Sequence, residues 1–464
     1  MFLKQFVNEG LGNSSYLVGS TRTKEAVVID PQRDVDTYLE EAQRAGLKIK
    51  YALETHLHAD FVSGSRELAA ATGATIGASA QAQLQFPHLA LKEGDHLELG
   101  EITLEVVETP GHSPEHISFL VREAGKKKPA ALFSGGAIIV GGIARTDLLG
   151  HEHAVPLARQ AYHTVQDKLL KISDEVTVYP THGGGSYCVA AQREERTTSI
   201  GQERRTNPLL RAASEEDFVR LALEGLPAYP SYFRWMRPLN QKGPPVFGRL
   251  PVLVPLPPQE VRARIEKDAL VIDVRRIRDF AQGHVPGAYS IVLRDAFASW
   301  LGWIVPPQRP LVFVTPGPEA HQEIVRQAIR IGYDDLAGYL DGGMAAWQAA
   351  GYPVVASGLT TPQETSQKLA ERGKITVVDV REEGEWREGH IPGAVHIPLG
   401  ELEKRAGEIP RASPIAVTCA SGARASSAVS LLQRQGFQDV SNILGGTTAW
   451  QRANLPLEKP PEKG

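Results

Sequence analysis

Two cysteines in 464 residues, Cys188 and Cys419, are too few for a disulfide framework and point to a reducing cytoplasm. No apolar run approaches the roughly 20 residues needed to span a bilayer, so no membrane role is expected. Residues 1–19 lack a charged segment followed by a long apolar core, so no secretion signal is expected either. A basic excess is missing too. The 50 Lys and Arg against 54 Asp and Glu leave a net charge of −4, and GKKKP (Gly125–Pro129) reads as a solvated turn. Nucleic-acid binding therefore has little electrostatic support.

What is present is an ordinary globular composition, 42% hydrophobic and 22% charged, in a chain long enough for two to four domains. SSYLVG, EAVVID, YALET, ITLEVVET and HISFLV read as strands, and FVSGSRELAAATG and SEEDFVRLALEGL as helices. A Pro-rich passage, residues 238–258, reads as a linker. Beyond it lies an internal repeat. LVIDVRRIRDFAQGHVPGAYSI matches TVVDVREEGEWREGHIPGAVHI, and YLDGGMAAWQAAGYPV matches NILGGTTAWQRANLPL. The spacing predicts two α/β units, at 259–356 and 360–464, after a first domain at 1–237.

In the second unit the stretch IAVTCASGARASS runs from a strand into Cys419, a small-residue loop and a helix starting near Arg424. Inward N–H groups and the helix N-terminus lower a thiol pKa and suit a persulfide anion on sulfur. Ala420 and Gly422 permit close backbone approach, and Arg424 offers a fixed charge to an oxyanion such as thiosulfate or sulfite. Together with DVRE, GHIPGA and GGxxAW, these residues resemble a rhodanese, the sulfurtransferase family. The resemblance implies Cys419 as the nucleophile carrying sulfane sulfur, cradled by Ala420, Ser421, Gly422, Ala423 and Arg424. It implies a bracing role for Asp379 and Arg381. The first unit has Thr315 and Ala320 at the corresponding positions, inside VTPGPEAHQE, and two prolines remove N–H donors from its loop. A structural or docking role is expected there.

In the first domain His56, His58 and Asp60 of THLHADF, His112 of TPGHSPEH and His182 of YPTHGGGSYC follow strand ends, where loops gather chemistry. Alternation along HLHAD predicts that His56 and His58 face one side, as ligands of Zn or Fe. In this order the residues resemble the metallo-β-lactamase fold, an αβ/βα sandwich, here followed by two rhodanese-like doubly wound α/β domains. ETHLHADFVSG, TPGHSPEHISF, ARTDLLG and ERRTNPLL resemble the persulfide dioxygenases in their fusion form with rhodanese domains. That resemblance implies one non-haem iron on His56, His112 and the carboxylate of a TGD motif, and self-association into a homo-oligomer. The third motif here reads LFSGGAII, with Gly136 where the carboxylate is expected. Three arrangements stay open: iron on His56 and His112 with a water or substrate oxygen in the vacancy, Asp60 moving inward, or a domain that binds metal weakly. His58, Asp60 and His182 are the further ligand candidates. Cys188, Arg145 and Asp147 are candidates for substrate contact, with Asp147 suited to bracing a loop or a ligand. His151 and His153 in GHEHA are expected to be exposed.

The function this implies is oxidation of a small thiol persulfide with O₂ to sulfite at an iron site, coupled to sulfur transfer to sulfite or from thiosulfate through Cys419. The alternatives are a zinc hydrolase of the glyoxalase II type fused to a rhodanese, and a metal-poor persulfide-binding module serving an active transferase. Phe61, standing where a second-metal histidine would follow the aspartate, favours a one-metal site over a two-metal hydrolase.

Overall fold

The computed structural model describes residues 1–190, 192–371 and 375–460. It divides into two compact units, one of Met1–Pro251 with Arg326–Gly332, the other of Val252–Val325 with Tyr333–Gly464.

The first unit is built on two six-stranded sheets. One runs in sequence order through Phe2–Asn8, Asn13–Gly19, Glu25–Ile29, Lys48–Leu53, Thr75–Ser79 and Leu89–Leu91, antiparallel at first and parallel from Glu25–Ile29 onward. The other orders Thr198–Ser199, Thr177–Pro180, Ala131–Gly135, Ile117–Glu123, Ile102–Glu108 and His96–Leu99. Alternating residues of both sheets, among them Tyr16, Val18, Ile29, Leu104, Phe119 and Phe133, close into one core. Helices Asp36–Ala45 and Ser65–Thr72 cover the outer face of the first sheet. Helices His151–His163, Ile200–Thr206 and Glu215–Leu223 cover the second. The predicted αβ/βα sandwich is what forms. The metal-type residues sit on loops after Leu53, Glu108, Gly135 and Pro180, all strand ends.

The Pro-rich passage starts differently from the expected linker. Helix Phe233–Lys242 runs through Pro238, and Pro255–Leu256 pairs as a strand with Tyr339–Leu340.

The second unit holds two parallel five-stranded sheets of one design. The first orders Pro255–Leu256, Leu336–Leu340, Leu311–Val314, Leu270–Asp273 and Tyr289–Ser290. The second orders Gly358–Thr360, Val440–Ile443, Ile415–Thr418, Thr376–Asp379 and Val395–His396. The two halves meet at serines: Ser427 Oγ donates to the Ser290 carbonyl at 2.6 Å, and Ser290 and Ser426 share a 2.7 Å hydroxyl contact. No helix among the described residues is long and apolar enough to cross a membrane.

Candidate metal centre and sulfur-transfer loop

Strand Lys48–Leu53 stops before the HxHxD stretch, and residues 54–62 run as a loop. His56 and His58 lie together as expected, with ring centroids 4.2 Å apart and both in one candidate metal group with Asp30, although they take different hydrogen-bond partners. His56 Nδ1–H donates to Thr55 Oγ1 at 2.8 Å, and Thr55 Oγ1 donates on to Asp30 at 2.7 Å. His112 Nδ1–H donates to the Arg145 carbonyl at 2.6 Å. Both tautomers leave Nε2 unprotonated for the site. Burial, reinforced by neighbouring imidazoles, holds His56 and His112 well below the usual imidazole range, so both rings are neutral.

His182 completes the group. Its Nε2 lies 3.3 Å from that of His56, and His56, His112 and His182 keep their ligand atoms within 4.8 Å of one another, all buried. Two imidazole nitrogens bound at about 2.1 Å to one tetrahedral metal stand about 3.4 Å apart. The observed separation fits. Asp60 Oδ2 lies 3.2 Å from His182 Nδ1, too poorly aligned for a hydrogen bond. Both Asp60 oxygens, His182 Nδ1 and His58 Nδ1 are buried without hydrogen-bond partners among the described residues. Such atoms cost about 1–3 kcal/mol each when left unpaired. On the other edge of the His182 ring, its Nε2 converges with His56 and His112 into one group of possible ligand atoms. The donor set fits a metal ion.

His58 turns toward acid. Its Nε2 contacts Glu54 at 3.0 Å and Asp30 at 3.3 Å. Burial opposes a charge on this ring, but the charge and hydrogen bonds of Asp30 and Glu54 outweigh it and push the pKa up to about 10. Pinned between two carboxylates, His58 braces the loop, and it also stands in two of the three residue groups whose donor atoms could hold a metal ion. Phe61 explains itself here, since its ring stacks on His58 at 4.1 Å and is fully buried. Asp30 also accepts from Thr55 N–H at 2.7 Å and from the Thr181 hydroxyl, tying the His56 loop to the His182 loop.

Gly136 has no room for the carboxylate its motif would carry. A Cβ there would stand 2.8 Å from Ala144 Cβ and 2.9 Å from His112 Cδ2. Its N–H donates instead to His116 Nε2 at 2.9 Å, and His116 Nδ1–H donates to Thr109 Oγ1 at 2.8 Å. Burial pulls His116 down to about 4, a neutral ring stacked 5.0 Å from His56. The preceding residue, Gly135, has φ +56° and approaches His116 and Thr55 so closely that only a glycine fits.

Arg145 and Asp147, the substrate-contact candidates, are paired with each other. Arg145 binds Asp147 through Nε at 2.6 Å and Nη2 at 2.8 Å, and its Nη1 is spent on the Tyr187 and Pro227 carbonyls. Its service to the site is the carbonyl that orients His112. Cys188 is fully buried beside Asp60, and burial together with that carboxylate pushes its thiol well above the usual range. His151 and His153 are exposed on the first turn of their helix.

Sequence reasoning passed over several residues that hold this centre. Glu115 accepts from Leu57 N–H at 3.0 Å and from Arg237 through two bonds of 2.8 and 2.7 Å. Asn240 donates to the His58 and Phe61 carbonyls at 2.9 Å each. A cavity of about 260 Å³ opens onto His112, walled by Leu57, Ala59, Leu148, Leu149 and Phe233 with Arg234 and Arg237 on its lining.

In the second unit Cys419 is buried at the end of strand Ile415–Thr418. Its Sγ accepts N–H groups from Gly422 at 3.1 Å and Ala425 at 3.4 Å. Gly422, with φ +97°, caps helix Ala423–Arg434, whose N-terminus faces the sulfur. Arg424 is not a free charge: Nη1 and Nη2 each bind Glu385 at 2.6 Å. Arg381 grips Asp379 with Nε at 3.0 Å and Nη2 at 2.6 Å, the expected brace. In the cysteine-less half Thr315 Oγ1 lies 3.2 Å from His321 Nε2, and Pro316 and Pro318 occupy the loop.

A sandwich of two mixed sheets with buried histidines at its strand ends defines a metallo-β-lactamase fold, and the paired parallel sheets are rhodanese-like. Residues 8–184 match the metallo-beta-lactamase superfamily, and residues 257–350 and 361–453 each match the rhodanese-like domain. The mitochondrial persulfide dioxygenase of Homo sapiens is 31% identical over 213 residues, covering 45% of this chain and 74% of its own. A sulfurtransferase of Allochromatium vinosum is 37% identical over 98 residues, 21% of this chain and 92% of its own. The crystal structure of a metallo-beta-lactamase from Staphylococcus aureus superposes with a TM-score of 0.67 at 32% identity, covering 73% of this chain and 98% of that one. The chain belongs to the persulfide dioxygenase family, in the form fused to two rhodanese-like domains.

Proposed function

We propose that the chain oxidises a low-molecular-weight thiol persulfide to sulfite at one metal ion, and moves sulfane sulfur through Cys419. The reaction is R–S–SH + O₂ + H₂O → R–SH + SO₃²⁻ + 2 H⁺. The observation that carries the first half is the 3.3 Å approach of His56 and His182 Nε2 beside His112, at the end of a 260 Å³ cavity. We assign His56, His112 and His182 as the residues that would hold the ion, and Asp60 as the carboxylate behind His182. Iron suits imidazole ligands and, when bound, would supply redox chemistry between O₂ and sulfur. Phe61 in place of a histidine and the filled space at Gly136 favour one metal over the two of a hydrolase.

The remaining work falls to the chain. Apolar walls at Leu57, Ala59, Leu148 and Phe233 exclude water from the sulfur's approach. The Arg145 carbonyl and the Thr55 hydroxyl fix the tautomers of His112 and His56. In the transferase, the thiolate of Cys419 attacks the outer sulfur of a donor, and the Gly422 and Ala425 N–H groups hold the resulting persulfide. We read these activities onto a metallo-β-lactamase-like domain at 1–237 and rhodanese-like domains at 259–356 and 360–464. Two free thiols favour a reducing cytoplasm. The test is metal analysis of the full chain purified without oxygen, followed by O₂ uptake and sulfite release with glutathione persulfide. One iron with sulfite formation supports the proposal. Two zinc ions with thioester hydrolysis, or no metal, sinks it.

A further inference from the structure

The arginine of the Cys419 loop, Arg424, and Arg381 nearby are both already spent. Arg424 is only 11% exposed and holds Glu385 through two 2.6 Å bonds, under the ring of Trp300 at 5.9 Å. Arg381 is committed to Asp379 and to the carbonyls of Glu385 and Gly389 at 3.1 and 2.9 Å. The loop residues Ala420, Ser421, Gly422 and Ala423 carry no charge. Glu382, half-buried on the same turn as Glu385, adds a second carboxyl near the arginine. Ile277 reaches within 3.4 Å of where a Cβ on Gly422 would stand, so Ile277 and Trp300 give the rim apolar character. An incoming sulfur meets backbone N–H groups and hydrocarbon, but no uncommitted guanidinium on the loop.

We propose that Glu385 sets which donor Cys419 accepts, by neutralising Arg424 so that the site takes sulfur from an organic persulfide in preference to thiosulfate. The proposal rests on the transferase reading above. With a persulfide the step is Cys419–S⁻ + HS–S–R → Cys419–S–SH + R–S⁻. The outer S–S bond breaks, and its electron pair leaves on the carrier thiolate, which takes a proton from water. With thiosulfate, Cys419–S⁻ + S–SO₃²⁻ → Cys419–S–S⁻ + SO₃²⁻ brings a dianion against a thiolate. That approach needs a cation to offset the repulsion, and Glu385 has already taken it.

The test compares kcat/KM for glutathione persulfide and for thiosulfate, with cyanide as acceptor, in the full chain. Wild type is expected to favour the persulfide at least tenfold. Glu385→Gln frees Arg424 and is expected to lower that preference at least fivefold by raising kcat/KM for thiosulfate. Glu385→Asp keeps the charge and should keep the preference. The double change Glu385→Gln, Arg424→Gln removes both charges without leaving one unpaired, and should also keep it. A preference that stays within twofold of wild type in Glu385→Gln overturns the proposal, as does a double variant that loses it. Wild-type preference for thiosulfate that vanishes when the exposed Arg276 and Arg278 beside Ile277 become alanine also overturns it, and gives those residues the role. Transfer surviving Cys419→Ser instead defeats the transferase reading itself, a result distinct from any of these.

Discussion

His56 and His182 are 126 residues apart in the chain, yet their Nε2 atoms stand 3.3 Å from each other, with Thr55, Asp30 and Thr181 bonded behind them. The pair exists because the His56 loop and the His182 loop share one buried carboxylate, Asp30.

His182→Ala removes one of three imidazoles and should lower metal affinity at least tenfold, read as metal per chain after dialysis against a chelator. Asp60→Asn leaves all three rings in place and removes only the carboxylate behind His182. Changes to groups that orient a ligand cost about 10–100-fold in affinity, so it should weaken binding by a similar or smaller factor. Full occupancy in both variants would refute the ligand assignment.

Gly136→Asp is expected to fail as a repair. The new Cβ would meet Ala144 and the His112 ring below 3 Å, so the change should destabilise the fold by about 1–3 kcal/mol, as overpacked cores do. Pairing it with Ala144→Gly removes one clash and should recover part of the lost Tm. A single variant with unchanged Tm and raised metal content would contradict the packing argument.

Asp379→Ala leaves the buried Arg381 guanidinium without its counter-charge. Breaking a buried pair this way costs about 3–5 kcal/mol, measurable by urea unfolding of the full chain. Arg275 and Asp273 make the same pair in the first repeat, through bonds of 2.6 to 3.2 Å, so Asp273→Ala should behave alike.

The Glu385–Arg424 pair gives a pH signature. Burial opposes ionisation of Glu385, but the hydrogen bonds and charge of Arg424 outweigh it and hold the carboxyl below its usual range. A depressed carboxyl adds stability above its unfolded value, near 4.3, and loses it as pH falls through the lower folded value. The stability difference between wild type and Glu385→Gln should therefore be full at pH 6 and shrink below about pH 4. A difference that grows on acidification would contradict the assignment.

The motifs pointed to both candidate sites, because a histidine after a strand end or a cysteine before a helix is a local pattern. The partners were not legible, because they come from elsewhere in the chain. Nothing near His58 in THLHADF shows that Asp30, at the end of an earlier strand, would claim it. Nothing in CASGAR shows that Glu385, 39 residues earlier, would occupy Arg424. Residues 54–62 are loop, yet His56 and His58 still stand side by side, held there by separate partners rather than by strand alternation. His116 was written in plain view, four residues past His112 in TPGHSPEH. Its role depended on Gly136 offering a backbone N–H rather than a side chain, and that follows only from packing.

The space closed at Gly136 also alters the electrical balance of the centre. A carboxylate ligand would cancel one unit of a divalent ion's charge, whereas three neutral imidazoles cancel none. A divalent ion held there would be balanced only at one remove, by Asp60 behind His182, so the cavity beside His112 should favour anions. A persulfide in its deprotonated form would, on the proposed function, be favoured there. Small anions such as azide and cyanide should compete with it more strongly than in a relative whose metal keeps its carboxylate.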